Sequence, residues 1–150
     1  MLVGGYNPQS WSSSGGFSGY NITPLDADRT AFIFNLKQGL KFDQRKTDGA
    51  GNAGQYQTFN VYDYGPSFGG GSDLNAGVAG NLNVGYSFLN SYGSLDDVGR
   101  DIARYPRPSR NRLQVGQIEV FTISIVPEPE TWALMLAGLG LLGFAARRRA

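Results

Sequence analysis

The sequence predicts a mainly β protein: an antiparallel β-sandwich over residues 1–125, followed by a single C-terminal transmembrane helix within residues 126–150. Three observations predict it. Several short stretches alternate apolar and polar residues with the period of a strand. Glycine supplies 22 of 150 residues, about twice the usual share of roughly 7%, which favours turns over long helices. The last 25 residues hold an uncharged apolar run that stops at three arginines.

Taken in order, Leu2 to Tyr6 is a short strand candidate, and Asn7 to Gly19 is a loop on composition. Ala31 to Leu36 (AFIFNL) alternates, with Phe32, Phe34 and Leu36 on one face. Gly39 to Gly54 is polar and reads as a turn or mobile loop. Tyr56 to Tyr62 (YQTFNVY) is a strand with Phe59 and Val61 on one face and tyrosines on the other. Gly65 to Gly71 is a glycine turn. Asn81 to Phe88 sets Leu82, Val84, Tyr86 and Phe88 against Asn81, Asn83, Gly85 and Ser87. Gln117 to Val126 (QIEVFTISIV) is the strongest strand on β-branched content. Asp96 to Tyr105 is the one stretch of the body that tempts a helix, weakened by Gly99. Short strands divided by turn signals read as a sandwich.

Trp132 to Ala146 is fifteen residues without a charge. As a helix it covers roughly 22 Å, short of a ~30 Å hydrocarbon core. The flanks lengthen the span: Trp132 suits the interface, and Arg147, Arg148 and Arg149 can snorkel to the far headgroups. The anchor side chains are Trp132, Leu134, Leu136, Leu139, Leu141, Leu142 and Phe144. A buried core helix is the plain alternative, opposed by the absence of a polar stripe and by the arginine stop. Positive charge stays cytoplasmic, which places the body outside. Pro127 and Pro129 lack backbone donors, so the segment before the run is an exposed linker.

Val126-Pro127-Glu128-Pro129, an apolar segment with Gly138, Gly140 and Gly143, and Arg147-Arg148-Arg149 follow one another at the end of the chain. This order resembles the PEP-CTERM sorting signal. The resemblance implies a bacterial protein exported across the inner membrane and processed near Pro127, Glu128 and Pro129 by an exosortase, an integral-membrane cysteine peptidase. It implies a single-pass inner-membrane stage, then the cell envelope or exterior. Such signals belong mainly to Gram-negative bacteria that make exopolysaccharide.

A second resemblance covers about Leu2 to Ile123. LVGGYNPQSWSSSGG, AFIFNL, YGPSFGGGSDL, NVGYSFLNSYG and GQIEVFTI are similar to the later part of a TLD (TLDc) domain. That family implies a two-sheet β-sandwich with flanking helices, linked in eukaryotes to oxidative-stress resistance and to binding the vacuolar proton pump. It brings no catalytic residues. The family's front region is not matched, and MLVGGYNPQS shows no secretory signal. Both point to an N-terminally truncated chain whose full form carries a signal peptide.

Composition narrows the chemistry. The chain has no Cys and no His, which removes a Ser-His-Asp triad, a thiol nucleophile and a Cys/His zinc site built from this chain alone. Without residues 126–150, which hold three Arg and two Glu, ten Lys and Arg face ten Asp and Glu. A neutral body argues against nucleic acid. No cofactor or metal is implied. Arg100, Arg104, Arg107, Arg110 and Arg112 form a candidate anion patch for acidic polysaccharide or phosphate. The plain reading is a solvated loop balanced by Asp96, Asp97 and Asp101. Asp96 and Asp97 read as a cap before they read as a glycosidase pair. Gly69 to Asp73 reads as a turn, since it fits neither a phosphate loop nor an EF-hand. The aromatics of YQTFNVYDYG serve packing before carbohydrate stacking.

The expected function is a non-enzymatic, exported interaction domain, tethered to the membrane and sorted by exosortase, with exopolysaccharide as a possible partner. The alternatives are an extracellular polysaccharide-active hydrolase and a truncated product without independent activity.

Overall fold

The computed structural model describes residues 1–12, 17–48, 51–107, 112–123, 137–139 and 147–148. Met1–Ile118 forms one compact unit and Glu119–Ala150 a second.

Among its described residues the first unit has nine strands: β1 (Val3–Tyr6), β2 (Phe17–Ile22), β3 (Phe32–Asn35), β4 (Leu40–Asp43), β5 (Tyr56–Val61), β6 (Ser67–Phe68), β7 (Leu74–Val78), β8 (Asn81–Tyr86) and β9 (Arg112–Gln114). They make a three-stranded sheet, β1-β3-β4, and a six-stranded sheet, β2-β5-β6-β7-β8-β9. Every pairing is antiparallel. The chain enters the larger sheet at β2, returns for β3 and β4, and then stays in it. One apolar cluster joins Ile33 and Phe42 of the smaller sheet, with Ala31 just before β3, to Phe68 and Leu74 of the larger. Leu89, Tyr92 and Ile102, from the long β8–β9 connection, complete it. Tyr92 satisfies its hydroxyl by donating to the Gln57 carbonyl at 2.7 Å, as a buried phenol must.

The mainly β, antiparallel character read from the sequence is found; the inward faces are not those its hydrophobic pattern marks. Along β3 the buried residues are Ile33 and Asn35. Phe32 and Phe34 share the outer face, with ring centroids 6.4 Å apart. Tyr6 lies 5.6 Å from Phe32, and the Lys41 ammonium sits 4.6 Å over the same ring. Leu36 is 61% exposed. Strand side chains alternate, so an aromatic cluster on one side hands the core side to their neighbours. Asn35 is admitted there because its amide donates to the Ile102 carbonyl and to Gln38 Oε1, both at 2.8 Å. Along β8, Asn81, Leu82 and Asn83 are all exposed, and burial begins with Gly85 and, just past the strand, Ser87. Ser87 Oγ donates to the Asp73 carbonyl at 3.0 Å and accepts from the Ile102 N–H at 2.9 Å.

Three further expectations are corrected. Asp96 to Tyr105 is not a helix; Leu95–Asp97 makes a 3-10 turn, capped reciprocally by Ser94 and Asp97, and Gly99 at φ +82° ends the helical path. Residues 117–123 of the expected Gln117 to Val126 strand are irregular, and the remaining three lie outside the described residues. The last rung of the ladder is Val115 N–H to the Asn83 carbonyl at 2.9 Å. Strand propensity expresses fit to a half-buried sheet surface, and residues 117–123 are not assigned to a sheet. The C-terminal transmembrane helix is also corrected. Among the described residues, no helix is long and apolar enough to cross a membrane. Those of the apolar run are Ala137, Gly138 and Leu139, which are helical. Gly138, Gly140 and Gly143 each disfavour helix by about 1 kcal/mol relative to Ala, in a run already shorter than a spanning helix needs.

The turn after β6 carries one strict requirement. Gly69 has φ +79°, and a Cβ there would lie 1.8 Å from Asp73 Oδ1. Gly69→Ala is expected to cost about 2–3 kcal/mol, adding a clash to the ~1–2 kcal/mol of left-handed strain. Gly80 has φ +73° with nothing within 4 Å of its Cβ position, so Gly80→Ala should cost only the strain. Paired urea titrations check the difference.

Candidate functional site

A groove of about 450 Å³ runs along β4, lined by residues 40–46, Gly93, Ser94, Asp97 and Tyr105. Backbone pairing assembles it. Arg45 N–H donates to the Ser91 carbonyl and Gly93 N–H to the Asp43 carbonyl, both at 2.8 Å. These bonds lay the 91–93 segment against the open edge of the smaller sheet.

Asp97 organises the far wall. Its Oδ2 accepts from Ser94 N–H at 2.8 Å and Ser94 Oγ at 2.7 Å, and its Oδ1 from the Tyr105 hydroxyl at 2.9 Å. Partial burial raises the Asp97 carboxyl, but these donors and Arg100 outweigh it and hold the group below its ordinary range. The same bond, with burial, pushes the Tyr105 phenol up. The Tyr105 ring stacks on Phe42 at 5.4 Å, and the Arg100 guanidinium lies 5.7 Å over it.

Positive charge gathers here. Lys41 pairs with Asp43 at 2.6 Å, both exposed. Lys46 is exposed. Arg45, only 7% exposed, faces Asp48 at 3.3 Å. Through Tyr105 the groove adjoins the turn that carries Arg100, Arg104 and Arg107. Arg104 N–H bonds the Asp101 carbonyl, Arg107 N–H the Arg104 carbonyl, and Asp101 N–H the Arg107 carbonyl, at 3.0–3.2 Å. Arg104 and Arg107 are exposed. Arg100 donates from Nε to the Asp96 carbonyl at 2.7 Å and from Nη1 to the Pro106 carbonyl at 2.8 Å.

Of the predicted anion patch, the structure thus brings Arg100, Arg104 and Arg107 onto one turn. Arg112 stands apart on β9, donating to the Tyr86 hydroxyl at 3.2 Å, and Arg110 lies outside the described residues. So do Pro127, Glu128 and Pro129, and also Trp132, Leu134, Leu136, Leu141, Leu142, Phe144 and Arg149. Leu139 is helical and 59% exposed, and Arg147 and Arg148 are exposed. The stretch Lys41-Phe42-Asp43-Gln44-Arg45-Lys46 was not foreseen as a site. Its signal is four charges in six residues, hidden inside a stretch that reads as loop.

Two carboxyls at and near the groove are shifted in opposite directions. A glycosidase acid needs a raised carboxyl facing the substrate. Asp97 is shifted the other way. Asp73 is raised to about 7 by burial, against three opposing backbone hydrogen bonds, but it is fully enclosed. The aromatics of the 56–64 region stack on one another, with Tyr20 4.9 Å from Tyr56 and 5.2 Å from Phe59, and Phe59 5.7 Å from Tyr64. Among the described residues, no group of three or more acidic side chains is placed to hold a metal.

Residues 126–149 match the family model of the PEP-CTERM protein-sorting motif. No curated protein and no solved structure matches the chain, and the likeness of the body to a TLD domain gains no support from these comparisons. The matched motif implies export, association with the membrane or envelope through this segment, and exosortase as the processing partner.

Proposed function

We propose that the protein is exported, processed by exosortase near Pro127, Glu128 and Pro129, and delivered to the envelope or the extracellular matrix. There the body serves as a non-enzymatic interaction domain for an acidic polysaccharide. The motif match over residues 126–149 carries the delivery half of this reading. Pro127 and Pro129 support it, because proline lacks a backbone donor and disfavours helix and central strand, as a cleavable linker requires. The ligand half is supported by the groove and the adjoining arginine turn. Lys46 is an exposed cation lining the groove, and Arg104 and Arg107 are exposed cations of the adjoining turn that carries Tyr105. Exposed cations beside a groove match a carboxylated sugar, whose charge pairs with them.

Two measurements test the halves separately. Replacing Pro127, Glu128 and Pro129 with alanine should leave the protein at its precursor mass in the producing cell; normal processing of that variant refutes the delivery reading. The purified full chain should bind polygalacturonate and not neutral dextran. Lys46→Gln with Arg104→Gln should weaken that binding at least about fivefold, and raising salt should weaken the parent in the same way. Equal binding of both polymers contradicts the anionic assignment, and shortening of the polymer contradicts the non-enzymatic one.

A further inference from the structure

The stretch between the body and the sorting motif is unlike the rest of the chain. Residues 115–123 belong to no strand or helix, although Ile118, Val120, Phe121, Thr122 and Ile123 have the composition of a strand. Val120 is 65% exposed, Phe121 78% and Ile123 72%. Phe121 is therefore more exposed than any other large apolar side chain named in the fold above. A linker whose only task is spacing is served by small and polar residues. Three large apolar side chains held in solvent, in a segment that favours extended backbone, are what a partner recognises by strand addition. There main-chain bonds give affinity, and pockets for alternate side chains give selectivity. In an extended segment Phe121 and Ile123 project to one side, and Val120 and Thr122 to the other.

Continuity says which partner. Ile123 stands three residues before Val126, where the matched motif begins. From Phe121 to Pro127 an extended chain covers only about 20 Å, so whatever grips the motif for cleavage meets this segment in the same cleft. We infer that residues 118–123 are an upstream recognition element for the processing peptidase, bound as an added strand with Val120, Phe121 and Ile123 in apolar subsites. The inference rests on the delivery reading above and extends it beyond the matched motif.

The test follows precursor-to-product conversion for the full chain in cells that contain the peptidase, and again with both proteins purified in detergent. The variant Val120→Ser, Phe121→Ser, Ile123→Ser is compared with the conservative Val120→Ile, Phe121→Tyr, Ile123→Val and with the motif-alanine variant. The serine variant should be processed about tenfold more slowly in both settings, as expected when apolar subsites are emptied. The conservative variant should restore the parent rate, and the urea midpoint of the body should be the same in all. Parent-rate processing of the serine variant, with the motif-alanine variant stalled, overturns the inference alone. Parent-rate processing of the motif-alanine variant overturns the delivery reading and this inference with it. A defect seen in cells and absent in detergent assigns the segment to the bilayer surface and overturns the inference. So does a dimer that the serine variant abolishes while processing continues unchanged.

Discussion

Asp73→Ala is expected to cost about 4 kcal/mol or more, a large share of a domain stability of roughly 5–15 kcal/mol. Asp73 has no exposed surface. Its Oδ2 accepts three consecutive backbone donors, Asn90 at 2.6 Å, Ser91 at 2.7 Å and Tyr92 at 3.0 Å. Alanine strands all three N–H groups in the interior, at about 1–3 kcal/mol each. The same segment supplies Tyr92 to the core and Gly93 to the groove, so binding should fail with stability. Asp73→Asn keeps an acceptor oxygen and should cost about 1 kcal/mol. Urea titration with an unchanged m-value checks both.

The same carboxyl sets a pH dependence. Burial raises it from 3.8 to about 7. Oδ2 is committed to three donors, so the proton sits on Oδ1, which lacks a hydrogen-bond partner. With the folded value above the unfolded one, the folded state holds a proton that the unfolded chain has released. This contribution is present in full below pH 3.8, falls as pH rises towards 7 and is flat above it. Asp97 and Asp26 are both lowered. Their contributions are present above pH 3.8 and lost only as pH falls below it, so they leave the window from about 4 to 7 to Asp73. Asp73→Asn should flatten stability across that window.

Arg29→Met is expected to cost about 3–5 kcal/mol, the range for breaking a buried charged network. The Arg29 side chain is fully buried. Its Nε donates to the Thr23 carbonyl at 3.0 Å, Nη1 to the Arg45 carbonyl at 2.8 Å and Nη2 to the Pro24 carbonyl at 2.9 Å. Nη1 also pairs with Asp26 at 2.5 Å, and Nη2 donates to Asn52. The guanidinium fork therefore ties the segment after β2 to the segment between β4 and β5. Methionine matches the stem but leaves three carbonyls and a carboxylate without their donor. Arg29→Lys should recover less than half of the loss, because one ammonium cannot span three diverging carbonyls. Since Arg45 and Lys46 lie on the clamped segment, polygalacturonate affinity should fall in step with the thermal midpoint.

The chain was legible where local pattern decides and opaque where tertiary pairing does. Strands β1, β3, β5 and β8 stand out as apolar alternation. β2 (FSGYNI) and β7 (LNAGV) do not, because their buried neighbours are amides, hydroxyls and glycine. β4 alternates as LKFD, but it sits in a charged stretch that reads as loop. The inward face of β3 is not legible, because Phe32 and Phe34 pack with Tyr6 outside while Asn35 turns in and is satisfied. Gln117 to Val126 has every local mark of a strand, yet residues 117–123 join no sheet, which no composition reveals. The groove joins residues 40–46 to residues 93–105 through two backbone bonds, and neither half announces the other. The sorting motif was legible because its three parts are contiguous.

A delivery signal of this kind is expected to be removed after export. Intact-mass measurement of the native protein, taken from the fraction outside the inner membrane of the producing cell, tests this most directly. The predicted result is a chain whose new C-terminus falls at or near Pro127, Glu128 and Pro129, without Arg147, Arg148 and Arg149. A mature protein that still ends in Ala150 contradicts it.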